Sequence, residues 1–209
     1  MSEAREAPVA ESPRAQLESS NGMEARIVEA ARYCFRIHGV ERTRMDDVAR
    51  VVGIARPNLY RYVSSKDALI ALVVVAETKK TDDMRRRLLP IEGPVGPLIV
   101  ESIALGVELS REDDVLLAMT TGSHPVAPSV SARPDSDLPR AGYWYPIFEH
   151  GRSRDELRDD LTNNEMRRWI GLMSLVFIQR DDMFPDTESV RYQAERFIVP
   201  ALLRCPAHG

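Results

Sequence analysis

Cysteine is scarce. Cys34 and Cys205 are the only two in 209 residues, one toward each end. That count excludes a disulfide scaffold and a cysteine-rich zinc site, and both residues are expected as reduced, packed small hydrophobes. Long apolar runs are missing too. The most apolar unbroken run, Trp169–Gln179, falls far short of the roughly 20 residues a bilayer span needs. The longer uncharged stretch over 115–132 carries Pro125, Pro128, His124 and several hydroxyls. No membrane partner is expected. The first 22 residues mix acids and bases without the apolar centre of a signal peptide, so the expectation is a soluble cytoplasmic protein. There is no excess of positive charge: Lys plus Arg number 28 against 32 Asp plus Glu, a net charge of −4. A wrap-around nucleic-acid binder would be strongly basic, and that class is excluded.

Catalytic constellations are likewise absent. His38, His124, His150 and His208 show no metal-ligand spacing, and there is no Gly-x-Ser-x-Gly, phosphate-binding loop or dinucleotide fingerprint. Glu149 and His150 are adjacent, so on a helix their side chains diverge. Neither enzyme activity nor a cofactor or metal is expected.

What remains is a chain with 44% apolar residues, enough to bury a real core in one or two domains. No strand-like alternation and no internal repeat occur, so the fold is expected to be all-α. Residues 1–20 are rich in Glu, Ala, Ser and Pro and read as a disordered tail. Helical periodicity starts at Asn21, where Asn21-x-x-Glu24 has capping-box spacing. Ile27, Ala31, Cys34 and Phe35 follow on one face, and Gly39 is the expected stop. Thr43-x-x-Asp46 repeats the capping pattern before a two-turn helix carrying Met45, Val48, Ala49 and Val52, with Gly53 as its stop. A third short helix is expected over 56–63, with Pro57 tolerated in its first turn. Ser64-x-x-Asp67 caps a long helix from Lys66 to about Leu89. Two more are expected near 98–109 and 112–119. Residues 121–139 carry four prolines and read as a long loop, either a lid or disordered. The last helices are expected near 141–151, 162–182 and 187–204, with kinks or shifted ends at Pro146 and Pro200.

Short helix, glycine-containing turn, short helix, with a preceding helix to pack against, is a helix-turn-helix pattern whose second helix can enter the DNA major groove. Local charge agrees. Residues 23–80 hold 11 Lys or Arg against 7 Asp or Glu, a net of +4, which leaves −8 for the rest. A basic head on an acidic body suits phosphate attraction at one end only.

Ala30-Ala31-x-x-Cys34-Phe35-x-x-x-Gly39, then Thr43-x-x-x-Asp47-Val48-Ala49, Gly53-Ile54, and Leu59-Tyr60-x-Tyr62-Val63-x-Ser65-Lys66-Asp67-x-Leu69 resemble the N-terminal domain of tetracycline-repressor-type (TetR) regulators. The resemblance covers Met23–Leu69. It implies a helix-turn-helix domain over 21–65 and a helical effector-binding and dimerisation domain over 66–209. By resemblance Arg56, Pro57, Asn58 and Arg61 face base edges, where Arg pairs with guanine and Asn with adenine. Thr43, Tyr60, Tyr62 and Lys66 match phosphate-gripping positions. Arg44 and Ala55 stand where the family often has Ser or Thr, and Val63 where it usually has Phe. Arg44 is expected to compensate with its own phosphate contact.

The resemblance also implies a homodimer on a palindromic operator in double-stranded DNA, acting as a repressor released by a small effector. The last two long helices are apolar nearly all round, more than one core face needs, and Trp169, Ile170, Phe177, Phe197, Ile198 and Ala201 are the expected dimer contacts. Leu105, Leu116, Met119, Tyr143, Trp144, Phe148 and Met173, with His124, are the expected lining of a pocket for a largely apolar effector. Arg140, Arg152 and Arg154 are candidates to hold an anionic group. The alternative reading is a helix-turn-helix module that contacts protein without specific DNA binding.

Overall fold

The computed structural model describes residues 13–121 and 142–204, with side chains over 22–118 and 142–204. Among the described residues there is no strand, only an isolated bridge between Leu157 and Leu203. The helices are α1 (Pro13–Arg42), α2 (Met45–Val52), α3 (Arg56–Tyr60), α4 (Lys66–Leu88), α5 (Val95–Glu112), α6 (Asp114–Thr121), α7 (Trp144–Ser153), α8 (Asn163–Gln179) and α9 (Thr187–Gln193). A π-helical turn (Ala194–Ile198) joins α9 to α10 (Val199–Leu202). No described helix is long and apolar enough to cross a membrane.

Two apolar clusters organise the chain. In the head, Ile27, Ala31, Cys34 and Phe35 of α1 meet Val48, Ala49 and Val52 of α2, Leu59 of α3, and Leu69, Ile70, Val73 and Val74 of α4. Leu59 is fully buried and is the one buried residue of the five-residue α3. Burying a leucine contributes about 1.5–3 kcal/mol, so this contact pins a helix too short to stand alone. In the body, α5 runs through the centre. Its Ile99, Ile103 and Val107 pack on Phe148 of α7, Ile170 and Phe177 of α8, and Val190, Ile198 and Leu202 near the C-terminus. Val73–Val75 lie inside α4, where the absence of turn residues overrides their strand propensity.

Several ends differ from the sequence reading. α1 already runs at Pro13, so residues 13–20 of the expected tail are helical and Asn21 lies inside the helix. Gly39, with φ 76° and ψ 157°, interrupts α1 near its end as expected of a positive-φ glycine. The α2 cap is Arg44, not Thr43: the Asp47 carboxylate accepts from the Arg44 amide at 3.2 Å. The Thr43 hydroxyl instead donates to Gly39 O at 2.8 Å and is buried. The α4 cap is Ser65, whose Oγ accepts from Ala68 N at 3.1 Å, one residue beyond Ser64. Pro146 sits in the first turn of α7 and makes no kink. The expected loop over 121–139 lies, apart from the backbone of Thr121, outside the described residues.

Candidate nucleic-acid interface

The head is built to present one face of α3. Gly53 ends α2 in the left-handed conformation, φ 81° and ψ 33°, and its amide reaches Ala49 O at 3.0 Å. A Cβ there would be strained, which explains glycine at the turn. Ala55 caps α3 with no side-chain hydrogen bond. With Leu59 directed into the core, Arg56, Pro57, Asn58, Tyr60, Arg61 and Tyr62 are all exposed together. The expected base-reading residues are therefore all accessible around the short helix.

Beside it lies an open cleft of about 660 Å³, flanked by Arg42, Arg44, Arg56 and Lys66 together with Asp46 and Tyr60. Arg44 and Arg61 have no side-chain partner among the described residues. Arg56 is held: its Nε lies 3.1 Å from Asp46 Oδ1 and its guanidinium 5.5 Å from the Tyr60 ring centre. The Tyr60 hydroxyl and the Asp46 carboxylate both keep the Arg56 guanidinium more firmly protonated than usual. Lys66 donates to Glu41 O at 2.6 Å, tying the start of α4 to the end of α1. Thr43 is the exception among the expected phosphate contacts, since its side chain is buried and its hydroxyl is already committed.

A polar junction behind the head was not foreseen in the sequence. Glu77 of α4, 2% exposed, pairs with Arg32 of α1 and, at 3.1 Å, with Lys80. Arg32 also reaches Asp113 at 3.2 Å, and Asp113 Oδ1 caps α6 through Val115 N and Leu116 N. Burial alone would raise the Asp113 carboxyl, but those amides and Arg32 outweigh it and hold it below its ordinary value. The available signal was that Glu77 continues the buried 70-73-74 stripe.

In the body, Arg85 near the end of α4 is buried. Its guanidinium stacks 4.1 Å from the Tyr143 ring centre, donates to Ser102 O at 3.1 Å and pairs with Asp82. Ser102 Oγ and Tyr143 Oη lie 2.8 Å apart. Burial pushes the Tyr143 phenol up, against the Ser102 hydrogen bond and the Arg85 charge. Gly106 makes room, since a Cβ there would stand 2.6 Å from an Arg85 nitrogen. Which of Arg85, Arg86 and Arg87 turns inward depends on helix phase, which three consecutive arginines do not reveal.

Of the expected effector lining, Leu105, Trp144 and Met173 are half-buried, and Leu116 is buried on α6. Tyr143 and Phe148 are buried within the body core. The Met119 side chain, His124 and Arg140 lie outside the described residues. Arg152 is occupied by Asn163 Oδ1 and the Leu161 carbonyl, and Arg154 by Glu156, so neither stands ready for an anion.

The expected dimer set also divides. Trp169, Phe197 and Ala201 are exposed, and Leu172 and Tyr192 join them. Ile170, Phe177 and Ile198 are at most 1% exposed within the single chain and are corrected to body core. Part of the reason is the π-helical turn, which adds a residue to the repeat. It carries Phe197 and Ala201 off the stripe formed by Val190, Ala194, Ile198 and Leu202.

Comparison with known proteins agrees with this architecture. The model for bacterial regulatory proteins of the tetR family matches residues 27–73. The HTH-type transcriptional regulator Rv1255c of Mycobacterium tuberculosis is 27% identical over 180 residues, covering 84% of this chain and 83% of that protein. The structure of Thermus thermophilus FadR, a TetR-family repressor in complex with lauroyl-CoA, is similar with a TM-score of 0.62 at 19% identity. That match covers 89% of this chain and 98% of the other. RolR in complex with resorcinol gives 0.68 at 13% identity, over 89% and 90%. Residues 27–73 thus match a tetR-family helix-turn-helix domain, and the chain as a whole shares its fold with solved TetR-family regulators.

Proposed function

We propose that the chain acts as a homodimer on a palindromic operator, as a repressor released by a small, largely apolar effector. The observation that carries this reading is the α3 face. Arg56, Asn58 and Arg61 stand exposed around a helix fixed from behind by Leu59, and Arg and Asn side chains are the usual readers of guanine and adenine edges. The dimer is supported by Trp169, Leu172 and Phe197, which are 42%, 52% and 62% exposed on α8 and the C-terminal helix. Large apolar groups left at the surface are candidates for an interaction site, and a two-fold pairing sets two heads about 34 Å apart on DNA.

Effector control is supported by α4. Its first half packs in the head cluster, while Arg85 near its end is embedded against Tyr143 and Ser102 of the body. An effector that binds one arrangement of the body better than the other shifts α4 and thereby the heads. Lauroyl-CoA in FadR and resorcinol in RolR are the small molecules held by two structural relatives.

The test is a mobility shift on duplexes enriched by the wild-type chain from random DNA. Arg61→Ala is expected to weaken the shift by at least tenfold, the scale of losing a good base contact of about 1–3 kcal/mol, with unchanged helicity. Equal binding by Arg61→Ala contradicts the proposed reading face. Absence of any enriched sequence favours a protein-contact module.

A further inference from the structure

Asp46 and Arg56 stand ten residues apart, on opposite sides of the turn. Asp46 is the second residue of α2 and Arg56 the first of α3. Their contact is two-pronged: Arg56 Nε to Asp46 Oδ1 at 3.1 Å and Nη1 to Oδ2 at 3.4 Å. One helical turn further on, Tyr60 Oη accepts from Arg56 Nη2 at 3.4 Å, with the guanidinium near its ring. Of the five N–H groups an arginine carries, one on each terminal nitrogen is therefore committed, while Nε stands at ion-pair distance from the carboxylate. One hydrogen remains on each terminal nitrogen, the pair that a guanine O6/N7 edge requires. Arg44, beside the same cleft, and the exposed Arg61 have no such partner among the described residues.

We propose that Asp46 is a specificity-determining residue of the DNA interface. Its carboxylate fixes Arg56 in a base-reading orientation and keeps it from swinging onto a phosphate. This rests on reading the α3 face as the DNA-binding surface.

The physical reason lies in what happens when DNA arrives. In water an exposed pair such as this one, with 58% and 49% of its side chains accessible, contributes little. Against the duplex, water is displaced and charge interactions strengthen. If Arg56 left Asp46 for a phosphate, the carboxylate would stay behind, unpaired in the negative field of the backbone. That arrangement is disfavoured on every sequence. Keeping the pair intact and presenting the two free N–H groups to a base is favoured only where the acceptors are present. Specificity arises from penalising the wrong arrangement as well as rewarding the right one. The same carboxylate lowers affinity for arbitrary DNA, because it withholds one cation from the phosphates.

Asp46→Asn separates these effects. On random duplex it is expected to bind more tightly than wild type. The slope of log K against log salt should steepen by about 0.9, the signature of one additional neutralised phosphate. On the duplexes enriched by wild type, discrimination at the base pair read by Arg56 should fall at least fivefold. In an Arg56→Ala background, adding Asp46→Asn should leave discrimination at that base pair unchanged, because the residue it orients is gone. Wild-type discrimination and an unchanged slope in folded Asp46→Asn overturn the proposal while leaving the DNA-binding reading intact. If the wild-type chain enriches no sequence, that reading fails and the proposal with it.

Discussion

Head and body obey opposite logics. In the head, the residues expected to work at the surface are at the surface apart from Thr43, and those expected to hold the helices together are buried: Arg56, Asn58 and Arg61 outside, Phe35, Val48 and Leu59 inside. In the body the expected working residues split. Phe197 stands out at 62% exposure while Phe177 is shut in at 1%, although both were read as contacts to a second chain. Short helices between strong stop signals have little freedom of phase, and one buried leucine settles which way α3 faces. Long helices apolar nearly all round carry two faces of similar character. Only the packing around α5 decides which belongs to the chain itself.

The largest expected effect separates two phenylalanines. Phe177→Ala removes a ring packed in the core and 4.9 Å from the Phe184 ring centre, and should cost about 3–5 kcal/mol of unfolding free energy. Phe197→Ala should leave the stability of the dilute chain within about 0.5 kcal/mol of wild type while raising the dimer dissociation constant at least tenfold. Urea unfolding and analytical ultracentrifugation read the two quantities. Equal destabilisation by both substitutions would erase the distinction between the core and partner faces.

A smaller effect tests the head. Ala55 caps α3 without a side-chain hydrogen bond, so Ala55→Ser should supply an acceptor for a first-turn amide and stabilise the head by about 1 kcal/mol. A matching substitution at a residue already capped, such as Ser65→Thr, should change little. Urea midpoints of the two variants decide the matter.

The smallest effect concerns the junction between head and body. The Asp113 carboxyl is held below its ordinary value of 3.8. It therefore contributes stability above about pH 4 that is lost as pH falls through its folded value. Asp113→Asn should flatten the decline in stability between pH 5 and pH 3, as followed by thermal melts across that range. An unchanged acid limb would show that the contact with Arg32 does not couple α6 to α1.

The sequence made the head legible almost to the residue. Gly53, Pro57 and Leu59 act through bonds and contacts within a few residues of themselves, so their consequences appear in local spacing. Even there, the caps of α2 and α4 each moved by one position. Thr43 turned inward to Gly39 O and Ser65 replaced Ser64, because several hydroxyls and carboxylates in a row offer more than one workable cap. Much of the body was not legible for a different reason. The burial of Arg85 depends on Gly106 and Tyr143, 21 and 58 residues away in sequence, and the turn at Ala194–Ile198 changes the helical repeat in mid-stride. Neither leaves a local pattern. Asp46 belongs between the two cases: its spacing suggested a cap, and only the folded turn brought it onto Arg56.

The central claim is that two heads of this form read one symmetric site, and enrichment of duplexes from a random pool by the wild-type chain tests it most directly. The expected result is an inverted repeat whose half-site centres lie about one helical turn, roughly 34 Å, or a multiple of it apart. Recovery of a single unsymmetrical site, or of no preferred sequence at all, would contradict the account.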